Sequence, residues 1–142
     1  MPRRWGGGTA FQGPPPRKRG CPAGPPARRA RYPVQVSILI CFCTCPDPAS
    51  AERIAASLVQ ERLAACVNIL PGLRSVYRWE GAVEAADEVL LLVKTGADAY
   101  PALQDRLRAL HPYELPELLA VEPAAGLPAY LDWVAAQTRP LD

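Results

Sequence analysis

Residues 34–66, "VQVSILICFCTCPDPASAERIAASLVQERLAAC", encode a strand that runs directly into a helix. Residues 34–45 are apolar and β-branched with approximate two-residue alternation, which predicts a strand that is largely buried on both faces. Asp47 is a good N-cap, and Pro48 suits the first helical position. Apolar residues then recur at helical spacing over 51–63, so the sequence predicts a helix with one face in the core.

Residues 66–95, "CVNILPGLRSVYRWEGAVEAADEVLLLVKT", follow and predict two long strands joined by a tight turn. The Pro-Gly pair at 71–72 does not fit a regular central ladder, so we expect a bulge or kink there. The turn is "WEGA" at 79–82, where Gly81 supplies a positive φ. The return strand ends in "EVLLLVKT", whose apolar run predicts burial on both faces.

A second helix is predicted in residues 97–112, "ADAYPALQDRLRALHP". We expect Asp98 to cap its start and Pro112 to end it. The residue before a proline is biased away from the helical conformation, which places His111 at the helix end in extended backbone. The inward stripe of this helix is Tyr100, Leu103, Leu107 and Leu110.

The C-terminal part predicts one more strand and one more helix. The strand is expected within residues 113–122, "YELPELLAVE", and the helix within 126–138, "GLPAYLDWVAAQT". The residues expected to point inward from this helix are Leu127, Tyr130, Leu131 and Val134.

The element order is therefore βαββαβ followed by a C-terminal helix, which is the ferredoxin-like pattern. Four strands with helices on one face predict an α+β fold, a two-layer sandwich. The strands also carry apolar residues on the face that the helices leave open. We expect another subunit to cover that face in a closed cyclic oligomer.

Charge divides the chain into a basic arm and an acidic domain. Residues 1–32 hold eight Lys and Arg and no acid, whereas the rest holds eight against fourteen Asp and Glu. The arm, residues 1–33, is rich in Pro, Gly and Arg and lacks periodicity, so we expect it to be disordered or to precede the true start. The folded domain is predicted over residues 34–138.

The hydropathy of the sequence indicates where in the cell the protein is located. No apolar run approaches the ~20 residues of a membrane helix, and the arm lacks the apolar core of a secretory signal. We therefore expect a soluble cytoplasmic protein with reduced thiols and no membrane partner.

Several separated motifs within residues 36–135 resemble the CutA family of divalent-cation tolerance proteins. They are "CPD", "ERLAACVNI", "PG", "YRWEG", "LLLVKT", "HPYELPE" and "YLDW". The resemblance implies a ferredoxin-like protomer, a homotrimer and a relation to PII-like signalling proteins. It also implies a role in the response to copper and other divalent metal ions, and it implies no known reaction.

The run "CFCTC" places three cysteines at alternate positions. In a regular strand Cys41, Cys43 and Cys45 share one face, with Cα atoms roughly 6.6 Å apart at each step. A metal with bonds of about 2.3 Å cannot reach all three unless the strand bends. Each is therefore either a small buried apolar residue or a member of a site completed from elsewhere, and Cys66 is expected to pack in the same way.

The resemblance implies copper ligation by Cys43, in "CTCPD", and by His111, in "HPYE". The family's other histidine falls on Leu110, which cannot bind a metal, and Cys45 is a candidate substitute. Thiolate and imidazole suit Cu(I). The alternative for His111 is a structural residue that bonds the last carbonyls of its helix.

A second candidate site combines Tyr77, Trp79, Lys94, Tyr113 and Glu114. These residues either form an effector cleft between subunits, as the PII-like relation implies, or make the trimer contact. This signalling module is the alternative to the metal-response function.

Other function classes are disfavoured. The chain has no phosphate-binding G-x-x-x-x-G-K-[ST] motif. The loop after the first strand, "CPDPAS", has no basic residue that could hold a phosphate, and the single histidine has no paired nucleophile. We expect no catalytic activity. The basic-aromatic motif of RNA-binding sheets is also absent, so only the arm favours nucleic acid.

Overall fold

The computed structural model describes residues 37–139. The elements are β1 Ile38–Cys45, α1 Pro48–Gln60, β2 Cys66–Trp79, β3 Ala82–Gly96, a short 3-10 turn Ala97–Ala99, α2 Tyr100–Leu110, β4 Leu119–Val121 and α3 Pro128–Gln137. This is the predicted α+β order with its C-terminal helix. The predicted basic arm, residues 1–33, lies outside the described residues.

The four strands form one antiparallel sheet in the order β2-β3-β1-β4, as the ferredoxin-like pattern predicts. β1 pairs with β3 without a break, from Ile38 opposite Gly96 to Cys45 opposite Val89. The main core lies between one sheet face and helices α1 and α2. Its fully buried side chains are Cys41, Cys43, Cys45, Ala51, Ile54, Leu58, Leu91, Val93, Leu103 and Leu107.

The other face of β1 and β3 is only half-buried in the protomer, since Ile40, Phe42, Leu90 and Leu92 are intermediate in exposure. The prediction that β1 and β3 are buried on both faces is therefore confirmed only for the face that the helices cover. A two-layer sandwich leaves this second face open.

Helix α1 begins as predicted. Asp47 is extended (φ −154°) and its carboxylate accepts the Ser50 N–H at 2.7 Å. This bond satisfies one of the free amides of the first turn. The buried face of α1 contains Ala51, Ile54, Ala55 and Leu58.

The hairpin of β2 and β3 also has the predicted features. Its register shifts between Leu70 and Leu73, where Gly72 has φ +86°. At the tip, Glu80 (φ +48°) and Gly81 (φ +80°) both have positive φ. That combination is typical of a tight two-residue hairpin turn.

Helix α2 begins later than predicted, and Asp98 does not cap it. A 3-10 turn comes first, and Ala99 occupies the cap position without a side-chain hydrogen bond. Pro101 lies in the first turn and lacks one of the N–H groups that a cap would otherwise satisfy, which reduces the cost of the missing cap. At the other end, His111 has the predicted extended backbone (φ −73°, ψ 136°).

Strand β4 is much shorter than the predicted segment 113–122. Pro112 and Pro116 flank that segment's first residues and cannot donate to a ladder, so pairing with β1 begins only at Leu119. In α3, Val134 is buried and Leu131 is partly buried, as predicted. Leu127 and Tyr130 are exposed instead, because α3 packs through its second half against Ile38 and Ala65. No helix in residues 37–139 is long and apolar enough to cross a membrane.

Candidate metal site and adjoining acidic cleft

Three buried side chains meet at the carboxyl end of β1. One ligand atom from each of Cys43, Cys45 and His111 lies within 4.8 Å of the other two. The cysteines are fully buried and His111 is 7% exposed. Cys41 shares the cysteine face but lies one further step along the strand, outside this cluster.

The route of the chain after α2 brings His111 to the cysteines. Helix α2 ends at Leu110, and the extended backbone at His111 turns the imidazole towards β1. Strand β4 pairs with β1 only between Ile40 and Phe42. The Thr44 carbonyl therefore lies beyond that ladder, and His111 Nε2 reaches it at 2.7 Å.

The hydrogen bonds of His111 define its tautomer. The Tyr113 backbone N–H donates to Nδ1 at 3.0 Å, so Nδ1 is the unprotonated nitrogen. The proton is on Nε2 and is donated to the Thr44 carbonyl. Both ring nitrogens of the neutral imidazole are therefore engaged, and a metal ion has to replace one of these two bonds.

The two thiols of the cluster are not equivalent. Cys43 Sγ lies 3.7 Å from the Thr44 carbonyl and also faces the Cys45 sulfur. The hydrogen bond with Cys45, together with burial, raises the pKa of Cys43. The same hydrogen bond lowers the pKa of Cys45. Cys45 is thus the thiol that ionises first and becomes the better metal ligand.

The dimensions of the cluster fit a single soft ion after a small contraction. Sulfur and nitrogen ligands at about 2.0–2.3 Å from one ion lie roughly 3.5–4.5 Å from each other. The cluster already holds its three atoms within 4.8 Å. Leu110, at the position of the family's other histidine, packs against the core instead.

A cleft of about 620 Å³ opens next to this cluster, between the β2–β3 hairpin and the segment 112–117. Its lining residues are Thr44, Ser75, Val76, Tyr77, Trp79, Glu84, Glu88, Pro112, Tyr113, Glu114, Leu115 and Glu117. Four of the five residues of the second candidate site are among them. Lys94 is not, because it pairs with Ile40 and Cys66 and lies roughly 20 Å along β3 from Glu88.

Sequence reasoning missed Glu88. This carboxylate is 8% exposed and accepts a hydrogen bond from the Tyr113 hydroxyl at 3.0 Å. Burial, with this bond and the nearby negative charge, raises the pKa of Tyr113 to about 12. The available signal was an acid placed directly before the apolar run "VLLLV". The Tyr113 ring also lies against the His111 ring, tilted by 48° with the ring centroids 4.9 Å apart, so it links the cleft to the cysteine cluster.

Comparison with known proteins identifies the family. Residues 39–137 match the family described as CutA1 divalent ion tolerance protein. The chain belongs to the CutA1 family.

Individual CutA proteins agree with this assignment. The divalent-cation tolerance protein CutA of Thermus thermophilus is 52% identical over 99 residues, which are 70% of this chain and 96% of that protein. Protein CutA of Mus musculus is 43% identical over 115 residues, or 81% of this chain but 64% of the mouse protein. A crystal structure of CutA from Xylella fastidiosa superposes with a TM-score of 0.70 at 52% identity, covering 72% of this chain and 98% of that one.

Proposed function

We propose that this CutA protein acts in metal-ion response by binding copper as Cu(I), or a similar soft ion, at Cys43, Cys45 and His111. The observation that carries the proposal is the convergence of two sulfurs and one imidazole within 4.8 Å. Residues 43 and 45 are adjacent on one strand face, whereas residue 111 comes from the far end of α2.

The donor set favours a soft ion over a hard one. Thiolate and imidazole are ligands for Cu(I) and Zn²⁺, whereas Mg²⁺ and Ca²⁺ take oxygen ligands. All three side chains are at least nine-tenths buried, so solvent does not compete freely for the coordination positions. Since binding displaces thiol protons, we expect affinity to rise with pH.

A competition titration of the reduced protein with Cu(I) tests this function. We expect tight binding at a fixed stoichiometry per chain, with loss in the variant Cys43→Ser, His111→Ala and weakening in Cys45→Ser. The matched control is Cys41→Ser, which changes an equally buried cysteine on the same strand face outside the cluster. Equal losses in Cys41→Ser and Cys45→Ser would reject the assignment.

We also propose that the functional form is a homotrimer in the cytoplasm. Apolar side chains stay exposed along the hairpin and the β4 edge of the protomer, as the exposed fractions of Val76 (69%), Val83 (66%) and Leu119 (61%) illustrate. Burial of such a surface is a usual source of subunit association. Sedimentation equilibrium at micromolar concentration distinguishes a trimer from a monomer.

The second candidate function is a signalling module that binds a small effector between subunits. The specific observation is the cleft, whose volume falls in the usual range for small-molecule sites of about 300–1,000 Å³. A thermal-shift screen of nucleotides and metabolites tests it, and no shift from any compound would count against it.

We propose that the protein has no catalytic role. Cys43 and Cys45 do lie near His111, as a nucleophile and a base would. Their sulfurs are fully buried, however, and both imidazole nitrogens are already hydrogen-bonded. A substrate would have no access to the thiol. Absence of iodoacetamide labelling at Cys43 and Cys45 in the folded protein, located by peptide mass mapping because the chain also contains Cys21 and the partly buried Cys66, would agree with this reading.

A further inference from the structure

We infer that the acidic cleft between the hairpin and segment 112–117 binds a linear organic di- or polyamine. This inference goes beyond metal response and rests on the second candidate function, because it names a ligand class for the same cleft. It rests on the shape of the hairpin face, the sign of the charge, one buried carboxylate and the aromatic walls.

The hairpin register builds one wall of the cleft. Tyr77 lies directly opposite Glu84, and Trp79 lies opposite Ala82, so these side chains project from the same face. Glu84 and Glu88 are four residues apart on β3 and share that face. Their Cα atoms are therefore about 13 Å apart, which suits a ligand with charged groups at separated positions.

The charge of the cleft has one sign. Its lining includes Glu84, Glu88, Glu114 and Glu117 and no Lys, Arg or His. The basic residues of the hairpin lie on its opposite face, where Arg74 pairs with Asp87 and Arg78 bonds the Gly81 carbonyl. A cleft lined by carboxylates concentrates cations and repels phosphates, so its charge disfavours a nucleotide.

Glu88 supplies an independent reason to expect a cationic ligand. The residue is 8% exposed, and among residues 37–139 the hydrogen-bond partner of its carboxylate is the Tyr113 hydroxyl. No lysine or arginine of the described chain forms a salt bridge with it. The Tyr113 hydroxyl occupies one acceptor position of this carboxylate, and a bound ammonium group would donate a charge-assisted hydrogen bond to another.

The aromatic walls favour an organic cation over a metal ion. Tyr77, Trp79 and Tyr113 all line the cleft beside the carboxylates. Aromatic faces attract ammonium groups, and they also pack against the methylenes that join them. A hydrated Mg²⁺ ion has no methylenes to bury and would leave most of a 620 Å³ cleft unfilled.

Isothermal titration calorimetry of the full chain with spermidine tests the inference. We expect saturable binding with one site per chain, and about tenfold weaker binding in Glu84→Gln or Glu88→Gln, as for loss of one charged contact. Asp87→Asn is the matched control, because it removes the same charge from the opposite face of the same strand. It should leave the affinity unchanged.

Three outcomes would overturn the inference: no saturable heat, an equal loss in Asp87→Asn, or displacement of spermidine by Mg²⁺ as effectively as by putrescine at equal ionic strength. The last would mean that the carboxylates act only as a diffuse counter-ion surface. Glu84 is exposed on the hairpin, so its variant keeps the test decisive if Glu88→Gln fails to fold.

Discussion

Replacement of His111 by alanine should destabilise the metal-free protein. The imidazole is 7% exposed and joins two backbone groups, the Thr44 carbonyl at 2.7 Å and the Tyr113 N–H at 3.0 Å. Removal of the ring leaves both groups without their partner. An orphaned buried group costs about 1–3 kcal/mol. Tyr113 is 37% exposed, so water can replace part of its bond, and we expect a total loss of about 2–4 kcal/mol.

The assay is urea unfolding of the apo protein, with the midpoint and slope compared at one fixed protein concentration because subunit association shifts apparent stability. Cys41→Ala is the comparison variant. It removes a buried side chain from β1, the strand that contains Thr44, but it removes no hydrogen bond to Thr44. We expect His111→Ala to lose clearly more free energy of unfolding than Cys41→Ala.

A loss below about 1 kcal/mol, the net value of a single ordinary hydrogen bond, would refute this reasoning. It would mean that His111 does not stabilise the C-terminal end of β1 in the metal-free protein. The imidazole would then bind Cu(I) without the free-energy cost of breaking its hydrogen bonds to the Thr44 carbonyl and the Tyr113 N–H.

The remaining predictions concern the cleft and the packing of α3. Spectrophotometric titration should show one tyrosine with a pKa near 12, namely Tyr113, which moves back towards its ordinary value in Glu88→Gln. Because the folded pKa lies above the unfolded value of about 10, the unfolded chain releases this proton first, and the stability contributed by Tyr113 is lost as the pH rises from about 10 through 12. Gly96→Ala should lower the thermal midpoint, because the added Cβ would lie 2.9 Å from the Thr138 hydroxyl, and Thr138→Ala should restore part of the loss. Arg62 has φ +60° and donates to the Ala136 and Arg139 carbonyls at 2.8 Å; Arg62→Ala should lose about 1–2 kcal/mol in urea unfolding, and Arg62→Gly should be more stable than Arg62→Ala because glycine accepts that φ.

Local features were readable from the sequence because short-range chemistry decides them. Asp47 caps α1 since its side chain reaches an amide three residues on, and no distant residue is involved. The Pro-Gly bulge and the Gly81 turn follow in the same way from backbone conformations that few residues adopt. The prediction failed at Asp98 and along 113–122, where prolines shifted the start of an element.

The composition of the site required more than local rules. Two-residue periodicity places Cys43 and Cys45 on one face, and the resemblance to CutA proteins singled out His111. The distance between these cysteines and His111 depended on how far β4 extends, because a longer β4 would have paired with Thr44 and excluded the imidazole.

By itself, the sequence determined the order of strands and helices, the cysteine face and the family, because period, caps and turns depend on neighbouring residues. Only the tertiary structure decided which side chains converge. It placed His111 against cysteines more than sixty residues earlier in the chain, added Glu88 to the cleft and kept Lys94 out of it. The physical reason is that such contacts follow from strand register and the path of a connecting segment, and both are decided by packing of the whole domain.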